Sequence, residues 1–379
     1  MRWVKARFPW FGQKVHTHDC KKAKTMEAVI DRFGEPAVMC VAGLLVGLLF
    51  GSAAAHSRFC LRAATVEVTE GRPGSRMAVW LIAFFAALFA VQVSVFSGVL
   101  DVSAARQLTA TGSMSGAILG GLMFGAGMIL ARGCVSRLLI LSASGNLRAI
   151  ITGLVVTIVA QASLRGVLSP ARESLALLWT VPGGEARSVL VALGIGVPAF
   201  TAIAGLAFIL SIVFGRRQKV PGSELVTAAL VGVAVYAGWA ATYLVAQSSF
   251  DVIAVQSVTF TGPSTDTLMA LVGAPDILPS FGLGLVPGVF IGALIVSWLK
   301  GEARIQRFDA DTPMERYLIG GVLMGFGSML AGGCAVGAAW QRFDHGTYGL
   351  GCRILHVAWR NGHPLVDVTR TGAAIRVTP

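Results

Sequence analysis

Two cysteines end matching stretches of apolar, glycine-rich sequence. Gly120-Gly121-Leu122-Met123-Phe124-Gly125-Ala126-Gly127 leads through Leu130-Ala131-Arg132-Gly133 to Cys134. Two hundred positions later, Gly320-Gly321-Val322-Leu323-Met324-Gly325-Phe326-Gly327 leads through Leu330-Ala331-Gly332-Gly333 to Cys334. A weaker third copy runs from Gly47 through Gly51 to Ser57-Arg58-Phe59-Cys60; setting Cys60 on Cys134 superposes Gly51 on Gly125 and Arg58 on Arg132. A neutral thiol is a weak, polarisable donor and acceptor, and apolar surroundings keep it neutral by raising its pKa. Three such groups converging near the middle of a bilayer would line a narrow, uncharged path that suits a soft anion.

The elements that must position these thiols are helices that stop inside the membrane. A helix end carries unpaired backbone groups and a partial charge, and a helix amino terminus attracts anions. Val135-Ser136-Arg137 is expected to begin a second short helix whose amino end faces the same point. Glycines at four-residue spacing let the supporting helices approach closely. The corresponding place in the second repeat, Ile253–Pro263, has no cysteine but is rich in hydroxyls. There Ser257, Thr259 and Thr261 either replace the absent fourth cysteine or cap a helix. Arg58 and Arg132 either draw an anion to the mouth of the path or snorkel to head groups. Cys40 reads as a small apolar side chain, and Cys20 and Cys352 fall in polar tails.

Composition decides the environment. Of 379 residues, 55% are hydrophobic and only 13% charged, about half the charged share of a soluble domain; the mean hydropathy is +0.71. The expectation is an all-α polytopic membrane protein in two pseudo-symmetric halves, with re-entrant half-helices ending at the Gly-Cys motifs. The clearest apolar runs are Met77–Leu100, Ser188–Phe214, Leu225–Gln247 and Leu283–Leu299. Ala37–Ala55, Ala117–Ala131, Ala149–Leu164 and Tyr317–Ala331 are shorter or broken by glycine.

The net charge of +12 reads through its placement as topology rather than nucleic-acid binding. Eight basic residues precede position 35, a second cluster is Arg216, Arg217 and Lys219, and a third is Lys300, Arg304, Arg307 and Arg316. The positive-inside rule puts all three in the cytoplasm. Arg58, Arg62, Arg72 and Arg76 stay on that side if the chain turns back near Cys60 instead of crossing fully over Ala37–Ala55. The expected organisation is a basic cytoplasmic segment at 1–35, a first membrane half at 36–216, a cytoplasmic linker at 217–224 and a second half at 225–340. An atypical polar tail is expected at 341–379, where the apolar pattern stops; it reads either as an ordinary cytoplasmic tail or as the place of a missing final helix, as a shifted reading frame would leave it. No CxxC pair, zinc spacing, catalytic constellation or GxxxxGK[ST] phosphate loop occurs, so no metal, cofactor, enzyme activity or ATP site is expected.

The motifs Ser57-Arg58-Phe59-Cys60-Leu61-Arg62, Leu130-Ala131-Arg132-Gly133-Cys134 and Leu330-Ala331-Gly332-Gly333-Cys334-Ala335-Val336-Gly337, together with Phe260-Thr261-Gly262-Pro263, resemble the YeeE/YedE family of bacterial inner-membrane proteins. The similarity covers roughly Ala37 to Gly337. It implies an hourglass-shaped helical fold and thiosulfate import, with the family's thiol relay carried over onto Cys60, Cys134 and Cys334. The soft terminal sulfur of thiosulfate matches the thiols; sulfate lacks it. Gly133 and Gly333, beside two of the cysteines, and Ser257 and Thr259 complete the expected substrate-binding set. The expected setting is the inner membrane, multi-pass, with a cytoplasmic amino terminus. Alternatives are transport of selenium or another sulfur species, a subunit docking a small soluble sulfur-carrier protein, and a sulfur-transfer enzyme, which would need an activated thiolate and a partner.

Overall fold

Inside a bilayer a backbone must satisfy its own hydrogen bonds, and this chain does so with helices. The computed structural model describes residues 27, 30–100, 112–181, 196–249, 253, 255–272, 278–307 and 314–333. The helices run in order as α1 (Glu35–His56), α2 (Leu61–Thr69), α3 (Ser75–Phe96), α4 (Met114–Leu130), α5 (Val135–Ala143), α6 (Leu147–Arg165) and α7 (Ser169–Leu177). They continue as α8 (Val197–Arg217), α9 (Gly222–Ser248), α10 (Thr261–Val272), α11 (Phe281–Leu299) and α12 (Met314–Leu330). Two short strands, β1 (Gly112–Ser113) and β2 (Thr180–Val181), pair antiparallel beside the start of α4. Among the described residues, seven segments are long and apolar enough to cross a membrane. The chain is an all-α polytopic membrane protein.

Local signals set many helix starts. Pro36 and Pro198 stand in the first turns of α1 and α8, where a missing N–H costs nothing. Ser113, Asn146 and Ser280 accept from backbone N–H groups at the starts of α4, α6 and α11, as N-caps do. Within the apolar run at 188–214, α8 begins at Val197; residues 182–195 lie outside the described chain. Ala37–Ala55, expected to be short, sits within the 22-residue α1, which rises about 33 Å and so matches a full hydrocarbon core. The polar tail expected at 341–379 lies outside the described residues.

Glycine seams hold the bundle together. Parallel α1 and α11 pack so closely that a Cβ at Gly43, Gly47 or Gly51 would run into the carbonyl oxygens of Phe281, Leu285 and Val289. Reciprocally, Gly284, Gly288 and Gly292 face the carbonyls of Cys40, Leu44 and Leu48. The two repeat helices α4 and α12 form a second seam, antiparallel, in which Gly116, Gly120 and Gly127 meet Leu330, Gly327 and Gly320. Small residues make such backbone approach feasible in lipid, where dispersion rather than the hydrophobic effect drives helix pairing. Buried Phe50, Phe260 and Phe281 fill the centre, and Phe50 lies 5.2 Å from Phe260 between ring centroids.

The bundle has two distinct ends. At one, Ser249 after α9 donates to the Glu35 carboxylate at the start of α1. At the other, Arg58 after α1 pairs with Glu302 after α11, 3.3 Å apart. The second end also carries the start of α3 and the Arg216–Arg217 end of α8, since Gly215 packs against Ala78 and Ile82.

Candidate functional site

Three helices end in the same turn, and each turn leads to a cysteine. In the first, Arg58 N–H donates to Ala55 O and Phe59 N–H to Ala54 O. In the second, Arg132 N–H donates to Ile129 O and Gly133 N–H to Met128 O. In the third, Gly332 N–H donates to Met329 O and Gly333 N–H to Ser328 O. This is the Schellman closure, which requires a left-handed residue just past the helix. Arg58, Arg132 and Gly332 take that place with φ of 52°, 56° and 80°. Glycine is at ease there, whereas an L side chain pays roughly 1–2 kcal/mol. Two arginines therefore stand where the backbone prefers glycine.

The first two turns also share their exit. Cys60 occupies the N-cap position of α2 and Cys134 that of α5, both extended and neither thiol capping its own helix. The helix expected after Cys134 does begin at Val135. Both thiols thus sit at helix amino termini, where the dipole favours an anion. Cys134 is 2% exposed, with Sγ 3.2 Å from Ser136 Oγ. Cys60 is half-buried and lines a cavity of about 410 Å³.

That cavity is a basic chamber. Arg58, Arg62, Arg76, Arg132 and Arg137 line it, with Glu302 as the one acidic group in its wall among the described residues. Glu67 on α2 positions part of it: its carboxylate accepts from Gly74, Arg76 and Met77 N–H at 2.8–3.1 Å, which fixes the start of α3 beside α2. The Glu302 loop is laid on the α5–α6 turn by Arg304 N–H to Ser144 O and Gln306 N–H to Gly145 O. Nε of Arg62 is buried and has no hydrogen-bond partner among the described residues, and the same holds for Nε of Arg316. Burial lowers the pKa of the Arg62 guanidinium, Arg132 and Arg316 push the same way, and Cys60 and Tyr317 oppose them. The group stays protonated all the same.

The other expected residues are placed differently. Cys334 lies outside the described residues; Gly333, its neighbour, ends α12 at the level of Gly116. That is the far end of the α4–α12 seam from Arg132, about 20 Å away at 1.5 Å per residue. Gly133 is buried, and a Cβ there would press on Arg137 Cγ at 3.3 Å. Ser257 is buried, and its hydroxyl donates to Val235 O at 2.6 Å. With the Thr242 hydroxyl donating to Gln256 O at 2.7 Å, it straps the extended stretch before α10 onto α9. Thr259 is half-buried in that stretch. Thr261 opens α10 with a buried hydroxyl that finds no partner among the described residues. Of the chamber's groups, sequence reasoning weighed Arg58 and Arg132 but took Arg62 and Arg76 only as topology markers. Glu302 had no local signal, because only tertiary packing brings it to Arg58.

The family described as sulphur transport matches residues 56–349. The chain belongs to that sulphur-transport family. Among its relatives, the thiosulfate transporter TsuA of Escherichia coli (strain K12) is 27% identical over 328 residues, covering 79% of this chain and 86% of the relative. The thiosulfate transporter TsuA of Spirochaeta thermophila is 25% identical over 327 residues, covering 78% and 88%. Membership in the sulphur-transport family gives the chain a transport role.

Proposed function

We propose that this protein carries thiosulfate, or a closely related small sulfur oxyanion, across the bacterial inner membrane by way of Cys60, Cys134 and Cys334. The observation that carries the reading is a thiol at a helix amino terminus in the wall of a five-arginine chamber. The arginines raise the local anion concentration. The thiols supply weak S–H donors to the soft terminal sulfur, strong enough to replace lost water and weak enough to release the ion to the arginines. Gly133 and Gly333 keep the approach to two of the thiols free of side chains, and Thr259 and the Ser257 strap shape the opposite wall. No covalent step is involved, and the chain contributes no catalysis.

The positive-inside rule sets the arginine-rich end in the cytoplasm, so the chamber is the exit for an imported ion. A small sulfur-carrier protein with an acidic face would collect it there. The cytoplasmic amino terminus expected from its eight basic residues goes with a chain that turns back near Cys60. A fully crossing α1 goes with an amino terminus on the outside. In this reading residues 36–216 and 225–340 are the two halves and 217–224 the linker between them.

Uptake of labelled thiosulfate into proteoliposomes tests the proposal, with sulfate and selenite as competitors. Saturable uptake that sulfate fails to inhibit is the expected result. Selective selenite uptake would transfer the reading to selenium, and no uptake of either would end it.

A further inference from the structure

We propose that the arginine chamber is a holding site for a hydrated dianion, selected by charge rather than by sulfur, in which Arg62 supplies the defining contact and Glu302 is a resident counter-ion that the dianion displaces from Arg58. The inference rests on the transport reading for its biological sense but not for its test.

Three observations converge on it. First, the chamber is over-supplied with donors. Five guanidinium groups, each with five N–H donors, face one carboxylate, and Nε of Arg62 is buried without a partner among the described residues. A buried, charged donor left unpaired is costly, and a counter-charge in the cavity that Arg62 lines offsets part of that cost. Second, the chain keeps Arg58 and Arg132 in left-handed positions where the third copy of the turn has Gly332. Both turns that face the chamber carry an arginine at this place; the third left-handed non-glycine among the described residues is Lys219, which closes α8. Third, the Arg58–Glu302 pair is weakly held. Both side chains are about half exposed, at 53% and 52%, and 3.3 Å apart, so the pair is worth little and its carboxylate is easily exchanged for a more highly charged anion. Lys300, which donates through Nζ to His56 O at 3.3 Å, keeps the end of α11 beside α1 when Glu302 lets go.

Size argues for a hydrated guest. A cavity of about 410 Å³ is far larger than one small oxyanion, and a water occupies about 30 Å³ of liquid. The ion therefore rests here with part of its shell. Arginine reads only its charge and oxygen geometry. Discrimination between thiosulfate and sulfate falls to the thiol path that leads into the chamber.

Calorimetric titration of the purified full chain in detergent, with sodium sulfate and sodium thiosulfate in turn, tests this. Wild type is expected to bind both with affinities within a few-fold of each other. Arg62→Gln weakens both by about tenfold or more, the worth of a charge-assisted contact, and Arg62→Lys recovers part of the loss. Glu302→Gln tightens both by about two- to fivefold, as removal of an exposed ion pair allows. Unaltered sulfate affinity in a monodisperse Arg62→Gln protein overturns the site, as does a wild type that binds neither ion. Unaltered affinity in Glu302→Gln overturns the counter-ion role. If wild type binds sulfate through Arg62 yet takes up no thiosulfate in vesicles, the transport reading falls and the site stands.

Discussion

Arg58 and Arg132 hold the same place in two separate turns: each is the left-handed residue that closes a helix, and each stands two positions before a cysteine that starts the next. The two turns open on one chamber. A closure normally made by glycine has been given a charge at both copies, while the third copy keeps Gly332. Stability and function therefore pull these positions in opposite directions.

Replacing Arg58 or Arg132 by Gly should accordingly stabilise the fold by up to about 1 kcal/mol, since the left-handed penalty disappears. The same change should lower thiosulfate uptake by about tenfold, because the field that draws the anion out of the thiol path into the chamber is weakened. Thermal melting in detergent and initial uptake rates measure the two effects. Lower melting temperatures would show that the side chains are structural.

The glycine seams give a sharper contrast. Gly47→Leu places a side chain against the Leu285 carbonyl and the backbone of Gly288 and Val289, and should prevent α1 from docking on α11. The cost exceeds the roughly 1–3 kcal/mol of ordinary overpacking, because backbone cannot move aside. A Cβ at Gly121 meets nothing within 4 Å, so Gly121→Ala should be neutral or gain about 0.5–1 kcal/mol. Expression level and melting temperature of the two variants report the difference.

Cys134 and Ser257 separate transport from structure. Cys134→Ala removes one small buried atom and should leave melting nearly unchanged while cutting thiosulfate uptake at least about tenfold, the loss expected when one transition-state contact disappears. Ser257→Ala removes the donor to Val235 O and should cost about 1 kcal/mol of stability with no change in the half-saturating thiosulfate concentration. Equal uptake in wild type and Cys134→Ala would remove that thiol from the path.

Reporter fusions settle the sides of the membrane. Glu35 and Arg58 lie at opposite ends of α1, tied to Ser249 and Glu302 respectively. A crossing α1 places a reporter at the amino terminus and one inserted after Lys219 on opposite sides, with the Lys219 reporter in the cytoplasm. Both reporters in the cytoplasm would mean that the chain turns back near Cys60.

The helices were legible because lipid allows few alternatives. Apolar runs at Leu225–Gln247 and Leu283–Leu299 became α9 (Gly222–Ser248) and α11 (Phe281–Leu299) with ends shifted by a few residues. The short helix after Cys134 was legible because Gly133-Cys134 breaks one apolar run and Val135 begins another. The chamber was only half legible. Repetition exposes Arg58 and Arg132, since both precede a cysteine by the same step. Arg76 and Glu302 are brought there by a carboxylate cap and by a loop laid on the α5–α6 turn, and neither contact leaves a pattern along the chain. The bond from the Ser257 hydroxyl to Val235 O, 22 residues earlier on α9, was illegible for a related reason.

The α1–α11 seam sets a timetable for biogenesis. Arg58 and Glu302, at its end, are 244 residues apart in the chain. A ribosome adding roughly 5–20 residues per second needs about 10–50 s between them. Throughout that interval the grooved face of the first-made helix has no mate, and insertion machinery or a lipid-facing chaperone must shelter it. A nascent chain stalled anywhere short of α11 would leave that groove open to membrane proteases.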